Sequence, residues 1–172
     1  MDFLELLNNK NLKPKEKTET ISHWILKHPE KLNELIDFAA ASKDVHKATC
    51  IEALEYVSKT HPNISSLACF NFAAKSLTDK APRVKWESAR VIGNIAKLYP
   101  DHLDETLKNL LVNSEHTGTV VRWSTAYAFG EIIKLKTSQN KDLIPAIEAI
   151  CEREEKNSIR KIYLDALKKA KV

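Results

Sequence analysis

Residues 83–95 read Arg-Val-Lys-Trp-Glu-Ser-Ala-Arg-Val-Ile-Gly-Asn-Ile, and residues 120–132 read Val-Val-Arg-Trp-Ser-Thr-Ala-Tyr-Ala-Phe-Gly-Glu-Ile. The two segments match step for step, with Val84 and Val121 standing 37 positions apart. Their apolar residues recur at the spacing of one helix face. A helical repeat of this length predicts stacked helix pairs that present an elongated surface instead of a closed pocket.

Weaker copies of the same segment stand on either side. We align Val45 with Val84 at an offset of 39, and Ile159 with Val121 at an offset of 38. Small or apolar residues then coincide at several steps of all four copies. The repeat therefore covers most of the chain.

Prolines mark the boundaries between repeats. Pro29, Pro62 and Pro100 each follow an apolar helical run and precede a Leu or Ile. Because proline ends one helix and suits the first turn of the next, each is interpreted as a helix boundary. The predicted helices span 2–9, 14–28, 29–41, 44–60, 63–77, 82–98, 101–112, 119–136, 141–155 and 158 to the end. Predicted N-cap residues are Asp44, Asn63, Asp101, Thr119 and Ser158.

Length and composition favour one all-α domain over residues 1–172, with the first 13 or so residues as a short capping helix and link. Only three glycines occur among 172 residues, which leaves little turn chemistry for a β-protein. No apolar run approaches the roughly 20 residues of a membrane span, and the first residues lack a basic signal-peptide region. We therefore expect a cytoplasmic protein without membrane association.

The three cysteines fit a reducing compartment. Cys50, Cys69 and Cys151 are odd in number, far apart in sequence and set within apolar helical patterns. That pattern is typical of small buried thiols, not of a disulfide framework. The formal net charge of +4 is mild, so it allows a nucleic-acid partner without requiring one.

The repeated segments resemble the second helix of a HEAT repeat. The resemblance is carried by the Val-Lys or Val-Arg pair, the alanine four or five steps later and the apolar-Gly pair of both copies, with Asp79 matching the turn aspartate. It implies a right-handed α-solenoid of about four to five antiparallel helix pairs. Its second helices would line a concave face that binds proteins and, in some branches of the family, nucleic acid.

A rotation of about 100° per residue separates the core side of each second helix from the exposed side. The candidate binding residues on the exposed, concave side are Trp86, Arg90, Asn94, Lys97, Trp123, Tyr127 and Lys134. Glu87 and Glu131 fall on the same side as solvated carboxylates. The flanking copies add Lys47, Ile51, Glu55 and Ser58 on one side, and Lys161, Asp165 and Lys168 on the other.

Adjacent helices lie about 8–10 Å apart, so Trp86 and Trp123 are expected side by side. Such rings can stack on a base, clasp a peptide side chain or hold each other. A tryptophan at this step also lies at the margin of the core, where it can pack into the seam between repeats. Both interpretations stay open.

Two other features are assigned to structure. The step after the repeat valine carries His46, Lys85, Arg122 and Arg160, and the resemblance implies a ladder that pairs this basic residue with an acidic one of an adjacent repeat. The glycines within the second helices, residues 93 and 130, are interpreted as sites of close helix contact. An interior glycine costs about 1 kcal/mol relative to alanine and needs such a reason.

No cluster of residues predicts catalysis, so no catalytic, metal or cofactor site is assigned. His23 and His28 lie on different helix faces, and no His-Glu-x-x-His or Gly-rich phosphate motif occurs. The alkylpurine DNA glycosylases are also HEAT-like, with tryptophans, an aspartate and an arginine in a concave cleft. Trp86, Trp123 and the arginines resemble that set, but no matching aspartate is present.

The sequence thus predicts a non-enzymatic scaffold that binds another protein or an extended peptide, with Arg90, Lys97 and Lys134 favouring an acidic partner. The alternative is a nucleic-acid-binding protein related to the alkylpurine DNA glycosylases, without catalysis. The chain is expected to be a monomer or to self-associate weakly through the apolar residues of its last helix.

Overall fold

The computed structural model describes residues 1–170, and throughout this range the chain is helical with short connections. The first five helices are α1 (Phe3–Asn8), α2 (Pro14–Lys27), α3 (Leu32–Ala41), α4 (Asp44–Thr60) and α5 (Leu67–Ser76). The remaining helices are α6 (Pro82–Ile95), α7 (Asp104–Ser114), α8 (Thr119–Ile133), α9 (Asn140–Arg153) and α10 (Asn157–Ala170). The predicted all-α architecture is confirmed.

The helices stack in two layers. The even-numbered helices form one layer, in which α2, α4, α6, α8 and α10 each pack against the next in order. Helices α3, α5 and α7 form the second layer, and each odd-numbered helix from α3 onward also packs against the even helix that follows it. Four sequential pairs therefore follow the α1–α2 unit, as predicted for a solenoid.

The core runs along the interface between the layers. In α6 it contains Val84, Ala89, Ile92 and Ile95, which recur at steps of three to five and so share one helix face. Burying a side chain of this size contributes about 1.5–3 kcal/mol. Because each pair buries this face only against its neighbours, the array is stable only as a stack.

The prolines start separate short 3₁₀ segments at Pro29–Lys31, Pro62–Ile64 and Pro100–His102, each just before the first helix of the next pair. Helices α3, α5 and α7 consequently begin three or four residues later than predicted. Asn63 and Asp101 lie within these segments and so do not cap an α-helix. Ser66 caps α5 instead, since its side chain accepts the N–H of Cys69.

The other predicted caps also differ from the structure. Asp44 and Thr119 are the first residues of α4 and α8, where Lys43 and Gly118 occupy the cap position. Ser158 lies one residue inside α10. The predicted starts of α4 and α8 are nevertheless correct, since packing of the apolar face fixes them without a side-chain cap.

The register assigned to α4 is wrong by one residue. Val45 is 72% exposed, whereas Val84 and Val121 are buried, so Val45 is not their counterpart. An offset of 38 aligns Lys47 with Lys85, and both reach toward the following repeat. Ile51, Glu55 and Ser58, which the earlier offset places on the exposed side, are accordingly buried.

Both glycines within second helices lie at close helix contacts, as predicted. A Cβ at Gly93 would lie 2.6 Å from the Tyr127 ring, and one at Gly130 would lie 3.3 Å from Cβ of Ala166. The three cysteines are buried and free, and burial raises the pKa of Cys50 and Cys69 to about 12. The thiols of Cys50 and Cys69 are therefore protonated at neutral pH.

Candidate functional site

We call the outward side of α4, α6 and α8, with the residues at their carboxyl ends, the second-helix face. Helix α6 packs between α4 and α8, so residues at equivalent repeat steps become neighbours. All seven predicted binding residues lie on this face: Trp86, Arg90 and Asn94 on α6, Lys97 just after it, Trp123 and Tyr127 on α8, and Lys134 just after α8. None of the seven is fully buried.

Trp123 is the most exposed aromatic ring of this set. Its indole is stacked on the ring of Tyr127, with centroids 6.3 Å apart and planes inclined by only 5°. The residue is 40% exposed, so the stack leaves part of it accessible to solvent. Stacking fixes the ring without covering it, which leaves a rigid apolar surface available to a ligand.

Trp86 is placed differently from the prediction. Within residues 1–170 no ring contact joins Trp86 to Trp123, and Trp86 is half-buried. Its Nε1–H donates a hydrogen bond of 2.8 Å to Oε1 of Glu87. Trp86 is therefore partly withdrawn from solvent by a contact within its own helix, whereas the exposed interpretation describes Trp123.

Glu87 was expected to be solvated, but only 4% of it is exposed. Arg90 explains how a carboxylate is accommodated there, because its guanidinium contacts Oε1 of Glu55 at 2.7 Å and Oε2 of Glu87 at 3.3 Å. Burial raises the pKa of Glu87, while the hydrogen bond from Trp86 and the charge of Arg90 act against this rise. One guanidinium thus serves two carboxylates.

Asn94 connects three helices. Its Nδ2 donates to the carbonyl of Glu55 at 3.2 Å and to Oγ of Ser58 at 2.9 Å. Its Oδ1 accepts the hydroxyl of Tyr127 at 2.6 Å. Because the amide is used on both sides, Asn94 positions Tyr127 more than it offers groups to a ligand.

A recess of about 250 Å³ opens beside this network, at the carboxyl ends of the second helices. Three repeat-related lysines line it: Lys59, Lys97 and Lys134. The other lining residues are Ser58, Pro62, Gly93, Asn94, Tyr127, Glu131 and Leu135. We call this cavity the lysine recess.

Lys59 is absent from the sequence-derived set because of the one-residue slip in α4. The signal that identifies it is the spacing Lys-x-x-Pro, which occurs at residues 59–62 and again at 97–100. Lys134 forms an ion pair with Glu131 on the same helix face. Lys59 and Lys97 have no carboxylate partner within residues 1–170.

Of the four residues assigned to the basic ladder, only Arg122 pairs with a carboxylate of the next repeat within residues 1–170, and Lys47 forms a second such pair that was not predicted. The guanidinium of Arg122 pairs with Glu154 at 2.9 Å, and Lys47 pairs with Asp79 at 2.6 Å. Lys85 differs from the implied pattern, because its ammonium contacts the amide oxygen of Asn113 at 3.0 Å instead of a carboxylate. In α4 the ladder position predicted for His46 is occupied by Lys47.

The ladder lowers the pKa values of its two carboxylates, Glu154 and Asp79. Burial alone would raise the pKa of Glu154, but hydrogen bonds from Arg122 and from the N–H of Lys156 lower it. For Asp79, too, hydrogen bonds from Lys47 and from backbone N–H groups outweigh burial and lower the pKa. Both carboxylates are therefore charged at neutral pH and hold neighbouring repeats together.

Within residues 1–170 no three His, Cys, Asp or Glu side chains are grouped closely enough to hold a metal ion. In the same range no helix combines the length and the apolar character that crossing a bilayer requires.

No family model matches the chain, and no curated protein matches it in sequence. Solved structures do match it in fold. An engineered protein superposes with a TM-score of 0.76 at 18% identity, covering 98% of this chain and 79% of that one. A designed armadillo repeat protein in complex with the peptide (KR)4 gives a TM-score of 0.73 at 18% identity, covering 98% of this chain and 80% of that one.

A natural protein complex has a similar fold. The complex of CpcE and CpcF of phycocyanin lyase from Nostoc sp. PCC7120 matches with a TM-score of 0.66 at 13% identity, covering 95% of this chain and 96% of that chain. At these identities the likeness concerns the fold alone. The chain is an α-solenoid of the armadillo and HEAT-like type.

Proposed function

We propose that this chain is a non-enzymatic scaffold that binds another protein or an extended peptide on its second-helix face. The observation that carries the proposal is the Trp123–Tyr127 stack, which holds an exposed indole at the border of the lysine recess. Tryptophan and tyrosine are among the residues that most often dominate interface energy. Within the solenoid class we assign the repeat to the HEAT-like branch, on the residues of the duplicated segment.

The structural neighbours are consistent with this role. One of them is a designed protein in complex with a (KR)4 peptide, and another is a complex of two protein chains. A solenoid presents an extended surface because each repeat contacts only its neighbours, which suits a ligand that is itself extended. We also infer a cytoplasmic location, since buried free thiols suit a reducing compartment.

The nucleic-acid alternative receives less support from the geometry. Arg90 and Arg122, the arginines it depends on, are paired with buried carboxylates, and this neutralises their charge. Glu87, the carboxylate beside Trp86, has one oxygen bonded to Trp86 and the other to Arg90. A carboxylate held in this way below the surface is poorly placed to stabilise a sugar cation.

The proposal is tested by selecting extended peptides from a displayed random library and measuring their affinity for point variants. We expect Trp123→Ala to weaken the selected peptides by about thirtyfold, corresponding to about 2 kcal/mol for a binding hot spot. The free energy of unfolding should fall by no more than about 1.5 kcal/mol, the usual contribution of an aromatic pair such as Trp123 and Tyr127. Fluorescence anisotropy and urea unfolding provide the two measurements.

Val112→Ala is the matched control, because Val112 is 70% exposed on α7 in the other layer. This variant should leave affinity unchanged. Trp86→Ala should instead destabilise the fold by about 1–3 kcal/mol, since Glu87 would lose a buried hydrogen-bond donor. Equal loss of affinity for Val112→Ala and Trp123→Ala would show that peptides do not bind on the second-helix face.

A further inference from the structure

The lysine recess brings together side chains that belong to three different repeats. Lys59, Lys97 and Lys134 stand 38 and 37 positions apart, at the same step of successive second helices, and all three line one cavity. With Glu131 as the only acidic side chain among its lining residues, the recess carries a formal charge of +2. Such a cavity attracts anions.

The helix dipole alone does not explain this arrangement. A lysine near a helix carboxyl end contributes about 0.3–1 kcal/mol to stability wherever it lies, and Lys75 in the last turn of α5 meets the same condition. The dipole favours one lysine per helix, and the stacking of equivalent repeat steps brings the three lysines to one cavity. An anionic ligand in this recess would therefore meet three ammonium groups at once.

The neighbourhood of the recess restricts what that ligand is. Tyr127 lines the cavity and carries the exposed Trp123 indole on its ring. The wall of the recess thus continues into an apolar aromatic surface on one side. A ligand that contacts both the recess and the aromatic surface needs negative charge. It also needs an apolar or planar group a short distance away in its own chain.

Spacing favours an extended peptide. Neighbouring second helices lie about 8–10 Å apart. A peptide in the polyproline II conformation advances about 3.1 Å per residue and returns to the same side every third residue, a repeat of about 9 Å. Acidic side chains at every third position would therefore meet successive lysines in register.

From this geometry we infer that the lysine recess binds the acidic side chains of an extended partner peptide, one from about every third position, while Trp123 anchors an apolar residue beside them. The inference rests on the proposed function, and it names the chemistry of the partner. No covalent step is involved. Binding is by charge-assisted hydrogen bonds between lysine ammonium groups and carboxylates.

The test uses three fluorescein-labelled peptides, each made of four repeats, of Glu-Pro-Ser, Gln-Pro-Ser or Lys-Pro-Ser, with one tryptophan at the same end. Anisotropy at low salt should show the Glu peptide binding most tightly and the Lys peptide most weakly. Raising the salt from about 0.1 M to about 1 M shortens the screening length from about 10 Å to about 3 Å, and should weaken the Glu peptide far more than the Gln peptide.

The double variant Lys59→Gln with Lys97→Gln should weaken the Glu peptide by about tenfold and leave the Gln peptide unchanged, since each exposed ion pair contributes up to about fivefold. Lys75→Gln is the matched control and should have no effect on either peptide. The inference is overturned if the lysine variants and the control behave alike, or if the Glu and Gln peptides bind equally.

The two proposals fail in different ways. If the Gln peptide binds as tightly as the Glu peptide and Trp123→Ala weakens both, the second-helix face is a peptide site and only its acidic preference is wrong. If none of these substitutions weakens binding of the Glu peptide, both proposals are wrong. Oligothymidylate provides the third outcome. If it binds more tightly than the Glu peptide, and the same lysine substitutions weaken its binding, the ligand of the recess is a nucleic acid and not a peptide.

Discussion

Gly93 lies where the ring of Tyr127 occupies the space that any side chain would need. A Cβ there would be 2.6 Å from Cε1 and 2.9 Å from Cδ1 of Tyr127, and 3.3 Å from Cα of Ala128. The first two distances are well inside normal carbon contacts of about 3.5–4.0 Å. The ring would have to leave both its stack on Trp123 and its hydrogen bond to Asn94.

Gly93→Ala should therefore lower the free energy of unfolding by about 1–3 kcal/mol, the usual cost of overpacking. This loss exceeds the gain of up to about 1 kcal/mol in helix propensity that alanine brings. Urea unfolding measures the difference. Gly130→Ala is the control, where the nearest atom is the Ala166 methyl at 3.3 Å, and its effect should stay within about 1 kcal/mol. Equal destabilisation by the two variants would refute this account.

Two arginines cross the same gap between repeats but differ in burial. The pair formed by Arg122 and Glu154 is largely buried, whereas the pair formed by Arg153 and Glu115 is about half exposed. Arg122→Leu leaves a buried carboxylate without its partner, which typically costs about 3–5 kcal/mol. Arg153→Leu should cost less than about 1 kcal/mol, because water screens the exposed pair.

The loss of unfolding free energy caused by Arg122→Leu should depend on pH. In the parent protein the pKa of Glu154 is below its ordinary value of 4.5, so its contribution to stability is complete above that value and is lost as pH falls through the lower folded value. The difference in unfolding free energy between parent and variant should thus be largest near neutral pH and shrink at about pH 3. Urea titrations at the two pH values measure it, and a constant difference would contradict the assignment.

At the scale of single helices, two prolines have opposite effects on stability. Pro145 lies inside α9, where it lacks the N–H that would bond to an earlier carbonyl of the helix. Pro82 is the first residue of α6, where the N–H has no helical partner in any case. The same residue type is costly at one place and favourable at the other.

Pro145→Ala should accordingly raise the melting temperature, with a gain of up to about 3 kcal/mol, because Pro145 is exposed and the new amide completes the helix. Pro82→Ala is the matched control and should lose up to about 1 kcal/mol, mainly through greater freedom of the unfolded chain. Thermal unfolding followed by circular dichroism distinguishes the two. A loss on replacing Pro145 would mean that packing requires the proline.

The second helices show how far the sequence determines structure at this scale. Apolar periodicity places α6 and α8 within three residues of their observed ends, because it reflects the face that each helix buries. The register of α4 fails by one residue, since Val45 resembles Val84 in type although only the latter meets a facing helix. Burial depends on that partner, which a single helix does not encode.

The candidate site was predictable in part for the same reason. The seven residues share a face because they share a helical step, and the structure places all of them on the second-helix face. Which of them remains accessible depends on contacts between repeats. Trp86 is drawn toward buried Glu87 by a hydrogen bond, while Trp123 has Ser124 at the next position and stacks on Tyr127 instead.

At the scale of the whole molecule, stability should vary along the stack. Helix α6 packs on second helices at both sides, whereas α10 packs on a second helix only at α8 within residues 1–170. In a linear array the units with fewer neighbours open at lower free energy. The centre of the chain is therefore the most protected region.

Native-state hydrogen exchange should show this gradient. Amides of Val91 and Ile92 in α6 should exchange about tenfold or more slowly than those of Tyr163 and Ala166 in α10, after correction for intrinsic rates. Mass spectrometry of fragments measures both regions in one experiment. Uniform protection in all helices would instead mean that the chain opens only as a single cooperative unit.

The hydrogen bonds that join successive pairs connect residues of limited separation in sequence, from 7 positions for Asn140 and Ile133 to 39 for Asn94 and Glu55. A helix pair near the amino terminus therefore completes its contacts with the next pair and needs no segment from the far end of the chain. Topologies with such low contact order fold quickly. On the ribosome each pair can consequently dock as soon as the next one emerges, which shortens the time during which its apolar face is open to aggregation.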